Sequence, residues 1–175
     1  MFEFLSDHGN SRVVFDCSYI EIDKTAFTPV NWETTYGDVE EEIPRNLPQA
    51  RGNPVQVSMF TDAAHAGDLF TRRSQTGIIF MLNGAPIIWH SKRQATVEAS
   101  TFGSKFVALR TCVEMNDGFR YKLRMMGIPI MGPTNIFCDN QSVVNKSTKL
   151  ESVLKKKHLS ICYHKIRECC AKGAA

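Results

Sequence analysis

Apolar and polar positions first fall into a period of two at residues 55–61, where Val55, Val57, Met59 and Phe60 interleave with Gln56, Ser58 and Thr61. That spacing predicts a strand ending at Asp62. Residues 77–82 predict a second strand, and residues 86–91 a third. Between them stands Asn83-Gly84, a dipeptide that favours the tight turn of a β-hairpin. The three strands should form an antiparallel meander. The period then changes. Phe102, Phe106, Leu109, Val113, Phe119, Leu123 and Met126 recur at helical spacing, which predicts one long helix over residues 100–126. Gly118 lies inside it as a weak point, Gly127 stands where a C-cap is expected, and Pro129 follows. Residues 134–138 predict a fourth strand ending at Asp139, residues 140–145 a short helix, and residues 151–171 a final helix. A helix between strands three and four permits a crossover to a parallel partner. The expected fold is therefore α/β, a mixed sheet with helices packed against it.

Residues 1–54 carry few periodic apolar positions, and Pro29, Pro44, Pro48 and Pro54 interrupt them. A short strand is expected at residues 12–15, followed by an extended acidic connector containing Asp38, Glu40, Glu41 and Glu42. So long a stretch with little structure reads as a linker to something upstream, which places the folded domain at residues 55–175. No internal repeat or low-complexity tract is present.

With 43% hydrophobic and 22% charged residues among 175, the chain can build a core and is not broadly disordered. Its net charge of +3 gives only weak support for nucleic-acid binding. Cys17, Cys112, Cys138, Cys162, Cys169 and Cys170 show neither a Cys-x-x-Cys pair nor zinc-type spacing, and reduced thiols are expected. The first ten residues contain acids and no long apolar core, and no run reaches the roughly 20 apolar residues of a membrane span. The expectation is a soluble intracellular protein with no membrane partner. Nucleotide-binding and serine-hydrolase signatures are absent.

Two acids stand at strand ends: Asp62 and Asp139. If their strands are neighbours, the carboxylates converge, and converging carboxylates bind Mg²⁺ or Mn²⁺, which prefer hard oxygen ligands. Two such ions about 4 Å apart can activate water and stabilise a leaving oxygen in phosphodiester hydrolysis. An Asp after a strand also commonly forms a turn or caps a helix, and spacing alone leaves both readings open.

The order of motifs resembles the ribonuclease H domain of copia-type LTR-retrotransposon Pol polyproteins. Phe60-Thr61-Asp62-Ala63-Ala64-His65-Ala66-Gly67-Asp68 and Arg72-Arg73-Ser74-Gln75-Thr76-Gly77 are similar to its opening. The likeness continues through Ile88-Trp89-His90-Ser91-Lys92-Arg93-Gln94, Thr96-Val97, Ala108-Leu109 and Cys138-Asp139-Asn140-Gln141-Ser142. It ends with Lys157-His158 and Tyr163-His164-Lys165-Ile166-Arg167-Glu168, so it is collinear over about residues 55–170. The resemblance implies a ribonuclease-H-like fold, Asp62 and Asp139 as catalytic metal ligands for Mg²⁺ or Mn²⁺, and an upstream reverse transcriptase. It also implies an RNA–DNA hybrid as substrate and a location in the cytoplasm, a virus-like particle or the nucleus. Asp68 belongs to the loop motif.

Two acids of the family pattern are missing. The helix glutamate falls on Lys105, and a fourth acid, expected between His158 and Tyr163, falls on Ser160. Ala64 replaces a second aspartate of the opening motif. Two carboxylates and one ammonium sum to a charge of −1, against the +4 of two magnesium ions. An ammonium about 4 Å from a divalent ion repels it by several kcal/mol even at an effective dielectric near 20. A damaged site and reduced or absent nuclease activity are therefore expected, unless Lys105 snorkels away or one metal binds to the two aspartates alone. Glu98, seven residues earlier, lies about 10 Å away on a continuous helix and cannot obviously substitute. His158 and His164 are either nitrogen ligands or proton carriers, or histidines simply hydrogen-bonded on a helix. Arg72, Arg73, Lys92, Arg93, Lys155, Lys156 and Lys157 are candidate phosphate contacts, with the last three opening the final helix. Trp89, Phe102, Phe106 and Phe119 are expected in the core. The alternative to an enzyme is an inactive remnant of the same fold that binds nucleic acid or a polymerase domain.

Overall fold

Every second residue of the first strand, β1 (Val57–Ala64), faces a buried layer from Met59 onward, with Met59, Thr61 and Ala63 inside and Phe60, Asp62 and Ala64 outside. This computed structural model describes residue 7, residues 9–23, residue 25 and residues 30–175; Pro29 lies outside the described residues. β1 pairs antiparallel with β2 (Gln75–Leu82), which pairs antiparallel with β3 (Ala85–Arg93). β4 (Asn135–Cys138) adds to the other side of β1 in parallel, giving the order β3-β2-β1-β4. The mixed sheet agrees with the sequence. β1 runs further than expected because Ala63 and Ala64 pair with Thr76 and Gln75, so Asp62 sits within the strand opposite Gly77 rather than after it. The β2–β3 turn places Asn83 at φ 53°, which Asn tolerates better than most residues.

One long helix covers the buried face. Among the described elements, α1 is a single turn (Glu33–Tyr36), and α2 (Thr101–Met125) is the crossover between β3 and β4. The Ser100 side chain caps α2 by accepting from Gly103 N, and Gly127 at φ 72° ends it. α2 continues through Gly118 without interruption. α3 (Gln141–Thr148) is capped by Asn140, whose side chain accepts from Val143 N. α4 (Ser160–Ala171) is shorter than expected and follows a 3₁₀ turn, Lys157–Leu159. The cause is a competition for carbonyls. Arg167 takes those of Lys149 and Leu150, and Tyr163 takes that of Ser152, so these groups are not available to a helical ladder. Lys155, Lys156 and Lys157 consequently precede the helix instead of opening it.

The core lies between the sheet and the helices. Phe106, Leu109 and Val113 of α2 meet Val143, Leu159, Ile166 and Cys169, while Met59, Ile78, Phe80 and Cys112 form a second cluster with Phe119 edge-on to Phe80. All six cysteines are free. No helix among the described residues is long and apolar enough to cross a membrane. The outer face of the sheet carries a cross-strand row, Phe137–Phe60–Ile79–Trp89, set by the strand registers. Trp89 was expected in the core; it is 74% exposed, because its parity on β3 points it away from α2.

Residues 12–15 form no strand. Val13, Val14 and Phe15 are exposed and find no ladder partner. The described part of the segment before residue 55 nevertheless lies against the domain. Gly84 N donates to Ser18 O, and Gln56 exchanges two hydrogen bonds with the backbone of Ile20. Glu41 is the strongest tie. Its carboxylate accepts paired hydrogen bonds from Arg120, which is 3% exposed, and from Arg124. Burial pushes the Glu41 carboxyl up, but the hydrogen bonds and charges of Arg124 and Arg120 outweigh it and bring its pKa down from 4.5 to about 2. A depressed carboxylate stabilises the fold above its unfolded pKa and stops doing so as the pH falls through its folded one. The contribution should therefore fade between pH 4.5 and about 2. Urea unfolding across that range should show a steeper acid loss in the parent than in Glu41→Gln; parallel curves would remove Glu41 as the cause.

Candidate functional site

The parallel pairing of β1 and β4 decides where the acids go. Thr61 is in register with Cys138, so the next residue of each strand path, Asp62 and Asp139, emerges at the same end of the sheet. Lys105 comes from the second turn of α2. Its stem is largely buried (16% side-chain exposure), and its ammonium emerges between the two acids. Lys105 Nζ lies 3.0 Å from Asp62 Oδ1 and also pairs with Asp139 Oδ2. Both aspartates are well exposed, at 65% and 61% of the side chain, so the site opens to solvent. Asp62 also accepts from Ala63 N. The Lys105 hydrogen bond, against some burial, holds the Asp62 carboxyl below its ordinary value. The hydrogen bond to Asp139, again against burial, holds the Lys105 ammonium above its own. Lys105 is thus charged at neutral pH and acts as counter-ion to both carboxylates. It does not snorkel away.

The other candidates go elsewhere. Glu98 precedes α2 and is buried, 3.3 Å from His158 Nε2. Gly103 makes room for it, since a Cβ there would lie 2.6 Å from Glu98 Oε2. His164 Nδ1 shares a hydrogen bond with Tyr36 Oη at 3.0 Å. Asp68 staples its own turn: it accepts from Phe70 N and Thr71 N and pairs with Arg93 at 2.6 Å. Ser160 begins α4 and lines a different hollow from the one at Asp62 and Asp139. Of the two positions where acids were expected, position 105 therefore meets Asp62 and Asp139, and Ser160 does not line their hollow. Among the described residues, no group of three or more His, Cys, Asp or Glu is arranged to hold a metal. The donor set does not fit a divalent cation: two carboxylates are present, and an ammonium already sits between them.

Most of the candidate phosphate contacts gather at this same end. Arg72 and Arg73 lie in the β1–β2 connection, and Lys92 and Arg93 end β3. Lys156 reaches the Ser100 hydroxyl at the start of α2 and lies over the Phe102 ring at 5.4 Å, whereas Lys157 lines a different hollow. Arg93 is engaged by Asp68, which lowers its availability. Beside the acids is a hollow of about 580 Å³ on the outer sheet face, walled by Phe60, Ile79, Trp89 and Phe137. Phe60 and Phe137 stack with centroids 4.8 Å apart. The sequence reading missed this wall. Its signal was present in β1, where Met59 and Phe60 are adjacent and so apolar on both faces.

The chain is 32% identical over 109 residues to the retrovirus-related Pol polyprotein from transposon TNT 1-94 of Nicotiana tabacum, an alignment covering 62% of this chain. It is 29% identical over 124 residues, 71% of this chain, to the corresponding polyprotein from transposon RE1 of Arabidopsis thaliana. This chain is a relative of retrotransposon Pol polyproteins. The aligned stretch spans about 8% of the length of each of these relatives. No protein-family model matches. Among solved structures, the N-terminal RNase H domain of a Mycobacterium tuberculosis protein, solved as a fusion with maltose-binding protein, superimposes with a TM-score of 0.50 at 11% identity. That match covers 69% of this chain and 77% of the other. The fold of this Pol relative is ribonuclease-H-like.

Proposed function

We propose that this chain is the ribonuclease H domain of a retrotransposon Pol polyprotein in which hydrolysis is strongly reduced or absent, leaving a fold that engages RNA–DNA hybrids. The supporting observation is Lys105 Nζ lying between Asp62 and Asp139, in the space a divalent ion would need. A fixed ammonium neutralises the two carboxylates and repels a second cation. The Asp pair alone therefore provides neither activated water nor a stabilised leaving oxygen. What remains is a basic end of the domain. Arg72, Arg73, Lys92, Lys155, Lys156 and Lys157 can neutralise backbone phosphates, and a hybrid duplex is recognised by its shape and 2′-hydroxyls. An upstream reverse transcriptase domain is the natural covalent partner.

Incubation with a labelled RNA–DNA hybrid in Mg²⁺ or Mn²⁺ should give no more cutting than a buffer control, while hybrid binding weakens at least about tenfold between low and moderate salt. Turnover comparable to that of Lys105→Glu would overturn the loss of hydrolysis. Binding that is indifferent to salt would overturn the basic interface.

A further inference from the structure

Arg167 is 2% exposed and, among the described residues, has no carboxylate within ion-pairing distance. The contrast with Arg120, equally buried but paired with Glu41, is direct. The Arg167 guanidinium is held by the carbonyls of Lys149 and Leu150, by Ser152 Oγ and by Tyr163 Oη, and is sandwiched between the rings of Trp32 and Tyr163 at 4.8 Å each. Its Nε finds no partner. Dipoles and ring faces hold the group in place but carry no net negative charge. A buried cation without a counter-charge is costly.

The same arginine lines a hollow of about 520 Å³, and no Asp or Glu lines it. Lys157 and His164, both exposed, bring further positive or protonatable groups, while Ser160 brings a hydroxyl. Ser160 is the first residue of α4, whose first turn holds no acid and whose start has no side-chain cap, although the Ser160 N–H itself donates to Lys157 O. His164 Nδ1 is engaged with Tyr36 Oη, which leaves the other ring nitrogen available.

We propose that this hollow binds a phosphate group. A tetrahedral oxyanion offers several acceptor oxygens to hydroxyl, ammonium and imidazole donors at once, and it supplies the charge that Arg167 lacks. The volume admits a ligand of nucleotide size. The phosphate is either a link of a nucleic-acid backbone or part of a free phosphorylated compound; the chemistry of recognition is shared. This site is separate from the Asp62–Asp139 pair and does not depend on the reading of that pair.

The test is an NMR titration of the full chain with inorganic phosphate at constant ionic strength, with chloride as the reference salt, following the His164 ring and the Ser160 amide. Saturable shifts beyond those in chloride are expected. Lys157→Ala and His164→Gln, both at exposed positions, should together weaken phosphate binding at least about tenfold, while circular dichroism shows the fold retained. Shifts no larger than in chloride, or an unchanged affinity in the double variant, would overturn the proposal. A second arm adds a blunt RNA–DNA hybrid lacking terminal phosphates. Displacement of bound phosphate identifies the backbone as the source; saturable phosphate binding without displacement identifies a free phosphorylated compound.

Discussion

Lys105→Glu is expected to bind a divalent metal far more tightly than the parent protein does. In the parent, Asp62, Asp139 and Lys105 sum to a charge of −1, and the ammonium stands between the carboxylates. In the variant three carboxylates give −3 on the same three positions, each held by a different element: β1, the end of β4, and α2. A hard divalent cation prefers such a set. Removing one cation and adding one anion about 4 Å from the ion changes its binding by several kcal/mol at an effective dielectric near 20, which corresponds to at least about a hundredfold in affinity. Stability should move in a linked way. Without metal the variant loses both Lys105 ion pairs and sets a third carboxylate against the two aspartates, so its melting temperature falls. Mn²⁺ should restore it in the variant, because binding to the native state alone stabilises by mass action, and should leave the parent unchanged. Hybrid cutting is expected to appear only in the metal-loaded variant. A variant that melts identically with and without Mn²⁺ would show that the geometry around position 105 is not that of a third ligand.

The second large effect is on stability. Glu41→Ala should destabilise the domain by about 3–5 kcal/mol, the range for removing one partner of a buried ion pair. Arg120 would be left 3% exposed, still donating to Gly132 O and Thr134 Oγ1 but with an uncompensated charge. Arg124 would lose both of its hydrogen bonds to Glu41. Deleting residues 1–54 removes the same carboxylate together with Trp32, Tyr36 and the Ile20 contacts to Gln56, so it should cost at least as much. Urea denaturation of the two variants measures this. A loss below about 1 kcal/mol for Glu41→Ala is the outcome for an exposed pair, and would mean that the segment rests on the domain without supporting it.

The hydrophobic pattern was enough for the sheet, its hairpin, the long helix and the crossover, because each depends on a local period and a local turn or cap. Its failures have non-local causes. The extra length of β1 comes from pairing with Gln75 and Thr76, residues whose own polarity gave no strand signal. The late start of α4 comes from Arg167 and Tyr163 reaching back to the carbonyls of Leu150 and Ser152, which a helix from residue 151 would have used. The run at residues 12–15 has strand-forming residues but no neighbour to pair with. Glu41 is one acid in an acidic run, and nothing near it in sequence singles it out, since Arg120 and Arg124 stand 79 and 83 residues later. At the site, the meeting of Asp62 and Asp139 followed from strand order, and Lys105 stood out against the family pattern. Its role as a bridge between the two acids required coordinates.

In the proposed function, the Lys105 ammonium takes the place of a metal ion between Asp62 and Asp139. Crystals of the unmodified chain soaked in Mn²⁺, with anomalous scattering recorded at the manganese edge, address it directly. The expected map shows Lys105 Nζ between the two carboxylates and no anomalous peak there. A peak bridging Asp62 and Asp139, with Lys105 turned aside, would contradict it.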